Sequence, residues 1–385
     1  MSDEMFSQLD DACRAGGASA TLDALIETLS AQKQYHLLFD ARLLQAKHGM
    51  GVASTRPTSF EDVPQERREE FEQSYISAAR NVGDLLLADG QLTEAWIYFR
   101  TIGEPDKVTA ALEALDAPRE FNDQTEALIN VALHEGANPV KGLEIMLRTH
   151  GTCNTITALE QQMTELSLEN RKRAAALLTR ELYRDLSQSL QHCVEQRMAM
   201  TPPGSTVREL IAGRDWLFED GNYHVDVSHL NAVVRFARSL DESCPELKQA
   251  IELAEYGSHL DEPLQYGTEP PFDEYYRASI QYLRALAGED VDAALAYFRG
   301  RLEGDLEPQD KQMVAYVLTD LLMRLQRHGE AVDVAEPYLS DAEDANGFSF
   351  SDLCRQAGRI ETLQSVSKRR GDIVRYAAAL IQSGT

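Results

Sequence analysis

The sequence lacks any long apolar run. Hydrophobic residues make up 43% of its 385 residues, but they occur only in short runs such as those in DLLLAD and AAALI. A helix that crosses a bilayer needs about 20 consecutive apolar residues, so we expect no membrane-spanning segment. The amino-terminal MSDEMFSQLDDA is acidic and has neither the basic nor the apolar part of an export signal, which predicts a cytoplasmic location.

Cysteines and local catalytic motifs are scarce as well. The five cysteines lie far apart in the sequence, which predicts reduced thiols rather than a disulfide framework. The sequence contains no Gly-Lys-Ser/Thr phosphate loop, no nucleophile elbow, no His-Glu-x-x-His helix and no Cys-x-x-Cys pair. We therefore expect a protein that is not an enzyme and that holds no cofactor.

Positive charge is in the minority. The chain has 63 aspartates and glutamates against 37 lysines and arginines, which gives a net charge of −26. Nucleic acids bind to cations that neutralise phosphates, and anionic membranes attract the same cations, so neither is expected as a partner. The charge predicts instead a basic protein partner, whose binding should weaken as salt is added.

Strand patterns are rare, because no alternating run of β-branched residues is bounded by a hairpin turn. Helical periodicity is frequent by comparison. Thr206 and Glu209 form a predicted capping box in front of one helix. A helix of about 30 residues is predicted to begin after Ser167, since apolar residues recur there every four positions: Leu178, Leu182, Leu186, Leu190 and Val194. These patterns predict an all-α fold.

Glycines and prolines separate the predicted helices. The segment TPPGS at 201–205 ends the preceding helix, because its prolines and glycine cannot continue one. It therefore predicts a boundary between two helical repeat regions at 1–200 and 201–385. Six glycines each follow one helical segment and precede another. They are expected to adopt the left-handed conformation that ends many helices: Gly90, Gly136, Gly151, Gly288, Gly329 and Gly358.

One short stretch carries a repeat signature. In VGDLLLADGQLTEAWIYFRTIGEP, which begins at residue 82, Gly83 is the small residue of a first helix and Gly90 ends it. Ala95 and Phe99 are then the small and the aromatic residue of a second helix, and Pro105 follows. This spacing resembles the tetratricopeptide repeat. In such a repeat, small residues let two antiparallel helices approach closely and an aromatic ring fills the remaining gap.

Weaker echoes of this pattern occur later in the chain. Gly288, Ala293 and Tyr297 repeat the five-and-four spacing, and Gly329 and Gly358 mark further turns. The middle third, about 151–281, matches poorly. The resemblance implies an array of helical hairpins (a tetratricopeptide-like α-solenoid) with a less regular helical middle section. Such arrays bind a segment of a partner protein in a groove, which makes a non-enzymatic scaffold or adaptor the predicted function.

A metal site is the alternative. His224, Asp226 and His229 lie within six residues of each other at the predicted start of a helix. Two imidazoles and a carboxylate are suitable ligands for zinc or ferrous iron, so these residues predict a metal-dependent enzyme or a small-ligand binder. In the structural interpretation, Asp226 or Ser228 only caps the helix. A third possibility is a structural subunit in which the array mediates self-assembly.

Overall fold

The computed structural model describes residues 3–197, 205–265, 267–341 and 348–383. Every regular element in these ranges is a helix, which confirms the predicted all-α class. The chain divides into two compact units, residues 1–155 and 156–385. The predicted boundary after residue 200 lies outside the described residues, so it stays a prediction. None of the helices in the described ranges is long and apolar enough to cross a membrane.

Among the first five helices of unit 1, each packs against the next one in the sequence. A buried lysine, Lys47, holds the loop that follows the second helix, since its ammonium donates to the carbonyl oxygens of Arg56 (2.7 Å) and Ser59 (2.6 Å). The helices are α1 (Asp3–Ala31), α2 (Tyr35–Gly49), α3 (Arg68–Ala88), α4 (Leu92–Thr101), α5 (Asp106–Ala114), α6 (Asp123–Ile129) and α7 (Pro139–Gln162), which bends at Gly151 and ends in unit 2.

Unit 2 begins with the end of α7 and then contains the long predicted helix. The five apolar residues that predicted this helix are all buried. It packs against the three helices that follow it, and the later helices form neighbouring pairs. The helices are α8 (Leu168–Arg197), α9 (Val207–Ile211), α10 (Val227–Phe236), α11 (Glu246–Ser258), α12 (Tyr275–Leu286), α13 (Val291–Glu303), α14 (Pro308–Arg324), α15 (His328–Leu339), α16 (Phe350–Gln356), α17 (Ile360–Arg370) and α18 (Ile373–Ser383).

One turn geometry recurs between paired helices of both units. The first helix ends at a left-handed residue, and the next residue is the N-cap of the second helix. The amide of that N-cap residue returns to a carbonyl of the first helix, which is the hydrogen bond of a Schellman motif. Five left-handed residues in the described ranges, each with its N-cap, show this turn: Lys33 with Gln34, Gly90 with Gln91, Gln326 with Arg327, Gly358 with Arg359 and Gly371 with Asp372.

Gly83 and Phe99 join the two helices of one such pair. A Cβ atom on Gly83 of α3 would lie 2.6 Å from Cε2 of Phe99 on α4. Phe99 and Ala95 are fully buried, so the ring fills the space that the glycine leaves. Unit 2 has a similar contact that the sequence did not reveal, in which the ring of Tyr276 on α12 lies against Gly257 on α11.

The second occurrence of the pattern, after Gly288, packs one residue later than the sequence predicts. Gly288 adopts the expected left-handed conformation, but Asp290 is left-handed as well and serves as the N-cap of α13. The extra residue in the turn leaves Ala293 exposed and Tyr297 only partly buried. The residues that pack inside are the next ones along the helix, Ala294 and Phe298.

The prediction for Gly329 is wrong. This glycine lies inside α15, whereas the left-handed residue of the turn is Gln326. The other five glycines predicted to be left-handed all have positive φ. The predicted capping box is confirmed, since the side chains and backbone amides of Thr206 and Glu209 pair reciprocally at the start of α9.

Candidate functional site

A groove crosses one face of unit 2. Its larger part is a cavity of about 760 Å³ lined by the start of α8, the ends of α12 and α14, and the chain after α10, where a 3₁₀ turn spans Ala237–Ser239. A smaller cavity of about 270 Å³ lies between α14 and α16. Asp320 of α14 lines both cavities. We call the two cavities together the α14 groove.

Lys172 forms two ion pairs at one wall of the α14 groove. Its ammonium lies 2.8 Å from a carboxylate oxygen of Glu169 and 3.3 Å from one of Asp241. Both ion pairs raise the pKa of Lys172. Asp241 also accepts hydrogen bonds from the backbone amide (3.0 Å) and hydroxyl (2.5 Å) of Ser243, and these contacts lower its pKa. The start of α8 is thereby tied to the chain after α10.

Arg324 ties the end of α14 to that same segment. Its guanidinium donates to the carbonyl oxygens of Arg238 and Leu240, and to the hydroxyl of Tyr282 on α12 at 3.3 Å. The Tyr282 hydroxyl in turn donates to Asp320 at 2.5 Å. Burial raises the pKa of Tyr282, so this phenol stays protonated and serves as a fixed donor. These contacts set the positions of three walls relative to each other.

Arg238 is a partly buried cation beside the α14 groove. Its guanidinium stacks 3.3 Å from the ring centroid of Phe272 and lies 5.4 Å from that of Tyr275. Burial is the main reason why its pKa lies below the ordinary value for arginine. Aromatic rings thus stabilise this charge through cation–π contacts.

The floor and rim of the α14 groove also offer apolar surface. Leu168, the first residue of α8, is 80% exposed at the rim, and the partly buried Leu325 lies on the lining. Tyr316 lines the smaller cavity, where its ring contacts Phe348. Exposed apolar side chains beside fixed charges are what an interface needs, because the first supply affinity and the second supply orientation.

The predicted metal ligands have other partners. One carboxylate oxygen of Asp226 accepts from the amides of Ser228 (2.9 Å) and His229 (3.2 Å), so Asp226 is the N-cap of α10. Nδ1 of His224 lies 3.2 Å from the hydroxyl of Tyr256, and burial lowers the pKa of His224. No group of three or more His, Cys, Asp or Glu side chains that could hold a metal ion occurs in the described ranges. Asp226 thus caps the helix, as in the structural interpretation.

The sequence analysis named one residue that lines the α14 groove, Gly288, and it named that residue as a turn glycine and not as a binding residue. Arg324 meets the carbonyl oxygens of residues 86 and 84 positions earlier in the chain, and Lys172 meets a carboxylate 69 positions later. No local motif records such contacts. The sequence does contain one relevant pattern, the apolar residue Leu168 at a predicted helix start, where its own helix has no earlier turn for it to pack against.

Comparison of the chain with protein-family models, with curated proteins and with solved structures finds no match in any of the three. Function is therefore inferred from the residues and contacts of this chain alone.

Proposed function

We propose that the chain is a non-enzymatic interaction scaffold whose helical hairpins form a tetratricopeptide-like array and bind a segment of a partner protein. The recurring turn and the contact between Gly83 and Phe99 support the array. The observation that carries the function is the α14 groove, to which α12, α14 and α16 all contribute. Helices α14 and α16 are the first members of the pairs α14–α15 and α16–α17, and stacked pairs of this kind form the concave binding surface of a helical array.

The charge of the chain indicates the partner. The larger cavity is balanced, with four cations and four carboxylates in its lining: Arg171, Lys172, Arg238 and Arg324 against Glu169, Asp241, Glu242 and Asp320. The net charge of −26 for the whole chain attracts a basic partner over a longer range. We therefore propose a partner segment that is basic overall and inserts apolar side chains beside Leu168. Added salt should weaken this binding.

Affinity capture with matched variants tests the proposal. Leu168→Glu places a charge on the apolar rim, and the new carboxylate suits a helix N-terminus, so folding should be preserved. The control is Ile97→Glu, the same type of change at a side chain of unit 1 that is 55% exposed. A partner in the α14 groove should be retained by the wild type and the control at low salt, and lost with Leu168→Glu.

Two results would count against this function. One is that no protein is retained at either low or high salt. The other is that every retained protein binds Leu168→Glu as well as it binds the wild type.

A further inference from the structure

Helix α18 presents an apolar face to solvent. Ile373 and Val374 are 79% and 80% exposed, and Leu380 and Ile381 are 47% and 72% exposed. The buried residue of the helix is Ala379, on the side that packs against α17. Amphipathic helices usually bury their apolar stripe, whereas this one buries Ala379 on the opposite side of the helix and leaves its large apolar side chains exposed.

The exposed residues share one stripe of the helix. Ile373, Ala377 and Ile381 are spaced four apart and therefore lie above one another, with Val374 and Leu380 on either side of this row. Among the described residues of α18, none on this exposed face carries an ionised side chain. Arg375, the charged residue within α18, points away from the middle of the stripe, because it lies about 160° around the helix from Ala377.

The stripe is symmetric about Ala377. If two copies of α18 pack antiparallel with a two-fold axis at this alanine, Ile373 of one copy meets Ile381 of the other. Val374 meets Leu380 in the same arrangement, and Ala377 meets its own counterpart. Large residues at both ends and a small one at the crossing give a self-complementary surface, as an isologous contact between identical chains requires.

The area of the stripe also fits a pair of helices. Its exposed surface is on the order of 500 Å², which is in the range of the largest apolar patches on a monomer. Two copies would bury about 1,000 Å² together, near the lower limit for a specific interface. A pair formed in this way should be reversible, with a dissociation constant on the order of micromolar.

We propose that α18 is a dimerisation helix that packs against α18 of a second copy of this chain. The net charge of −26 on each copy opposes association. Added salt screens that repulsion, so it should strengthen the dimer. This is opposite to the salt effect expected for the α14 groove, and the two proposals can fail independently.

Sedimentation velocity of the full chain over a range of concentrations and salt tests the proposal. Ala377→Glu brings two carboxylates together at the axis and should raise the dissociation constant at least ~100-fold. Ala377→Lys should do the same. An equimolar mixture of the two variants should restore the dimer, because glutamate then faces lysine across the axis.

The matched control is Ala293→Glu, which adds the same charge at an exposed alanine of α13 and should leave the dimer unchanged. Circular dichroism checks that each variant is as helical as the wild type. The proposal is overturned if the wild type stays monomeric at all concentrations or if Ala377→Glu still dimerises. It is overturned equally if the control also dissociates, or if the mixture of Ala377 variants stays monomeric.

Binding to a lipid surface is the competing use of such a face. Flotation with vesicles of anionic and of neutral phospholipid tests it. Recovery of a monomeric wild-type chain with either vesicle, together with loss of recovery in Ala377→Glu, would replace the dimer by a membrane contact. Absence of the wild type from both vesicle fractions is the result expected for a dimerisation helix.

Discussion

Replacing Gly83 by alanine should destabilise unit 1, although alanine is the better helix former. In an open helix this change gains up to about 1 kcal/mol. At Gly83 the new Cβ would lie 2.6 Å from Cε2, 2.8 Å from Cζ and 3.1 Å from Cδ2 of Phe99. Since this ring is fully buried, it cannot move into solvent. Overpacking of a core costs about 1–3 kcal/mol, and three short approaches indicate the upper end, so the net loss should be about 2 kcal/mol.

Gly300→Ala provides the matched control. Gly300 lies inside α13, and a Cβ there would meet no atom within 4 Å. The same chemical change should therefore stabilise unit 2 by about 0.5–1 kcal/mol. Both substitutions replace a helical glycine by alanine and differ only in their surroundings. Changes of opposite sign in the free energy of unfolding would therefore separate the effect of the packing contact from that of helix propensity.

Urea unfolding followed by tryptophan fluorescence measures both changes. The chain has two tryptophans, Trp96 in unit 1 and Trp216 in unit 2. A Trp216→Phe background reports unit 1 through Trp96, and a Trp96→Phe background reports unit 2. If Gly83→Ala is as stable as its parent, the close packing of α3 on α4 is refuted.

A double-mutant cycle sharpens this test. Phe99→Leu removes part of the ring and leaves a small cavity, at a cost of about 1–3 kcal/mol. In the double variant the alanine at position 83 occupies part of that cavity. The combined loss should be smaller than the sum of the single losses by at least ~1 kcal/mol, because the two side chains share one space.

Two further predictions concern buried polar groups. His224 has a lowered pKa because of burial, and its Nε2 is a buried atom without a hydrogen-bond partner. The unfolded chain takes up a proton at this position below about pH 6.5, whereas the folded chain resists it, so stability should fall as the pH drops from 7 to 5. Between pH 7 and 5 the urea midpoint should fall less in His224→Phe than in the wild type. An equal fall in both would show that His224 does not cause the loss of stability. Lys47→Met should cost about 1–3 kcal/mol, since it leaves the carbonyl oxygens of Arg56 and Ser59 without their buried donor. Hydrogen exchange should then accelerate within 51–63, and unchanged protection there would show that the lysine does not hold the loop.

The predictable part of the fold is the part encoded locally. The spacing of Leu178 to Val194 gave α8 almost to the residue, because burial of one helical face leaves a period of about four in the sequence. Thr206 and Glu209 predicted the start of α9, since a capping box needs only residues three apart. The groove residues were not predictable in this way, because residues far apart in the chain line it together.

The turn between α14 and α15 shows why the helix boundary predicted at Gly329 was wrong. Glycine is the usual left-handed residue at a helix end, so Gly329 was the natural candidate. Gln326 takes that conformation instead, with φ of 60°, and the amide of Arg327 completes the motif by donating to the carbonyl of Leu322 at 2.8 Å. Ala331 is buried and donates its amide to the carbonyl oxygen of the N-cap residue Arg327 at 3.1 Å, so Gly329 lies within the first turn of α15.

A pair of substitutions at this turn distinguishes the two boundaries. Gln326→Gly should stabilise unit 2 by about 1 kcal/mol, because glycine adopts the left-handed conformation without the steric cost that a side chain incurs. Gly329→Ala should be neutral or stabilising by up to about 1 kcal/mol, since the residue is helical and a Cβ there meets no atom within 4 Å. If the boundary were at Gly329, both signs would reverse, because the first change would put glycine inside a helix and the second would put alanine at a left-handed position. Urea midpoints in the Trp96→Phe background measure both, and a loss of stability in both variants would refute the turn at Gln326.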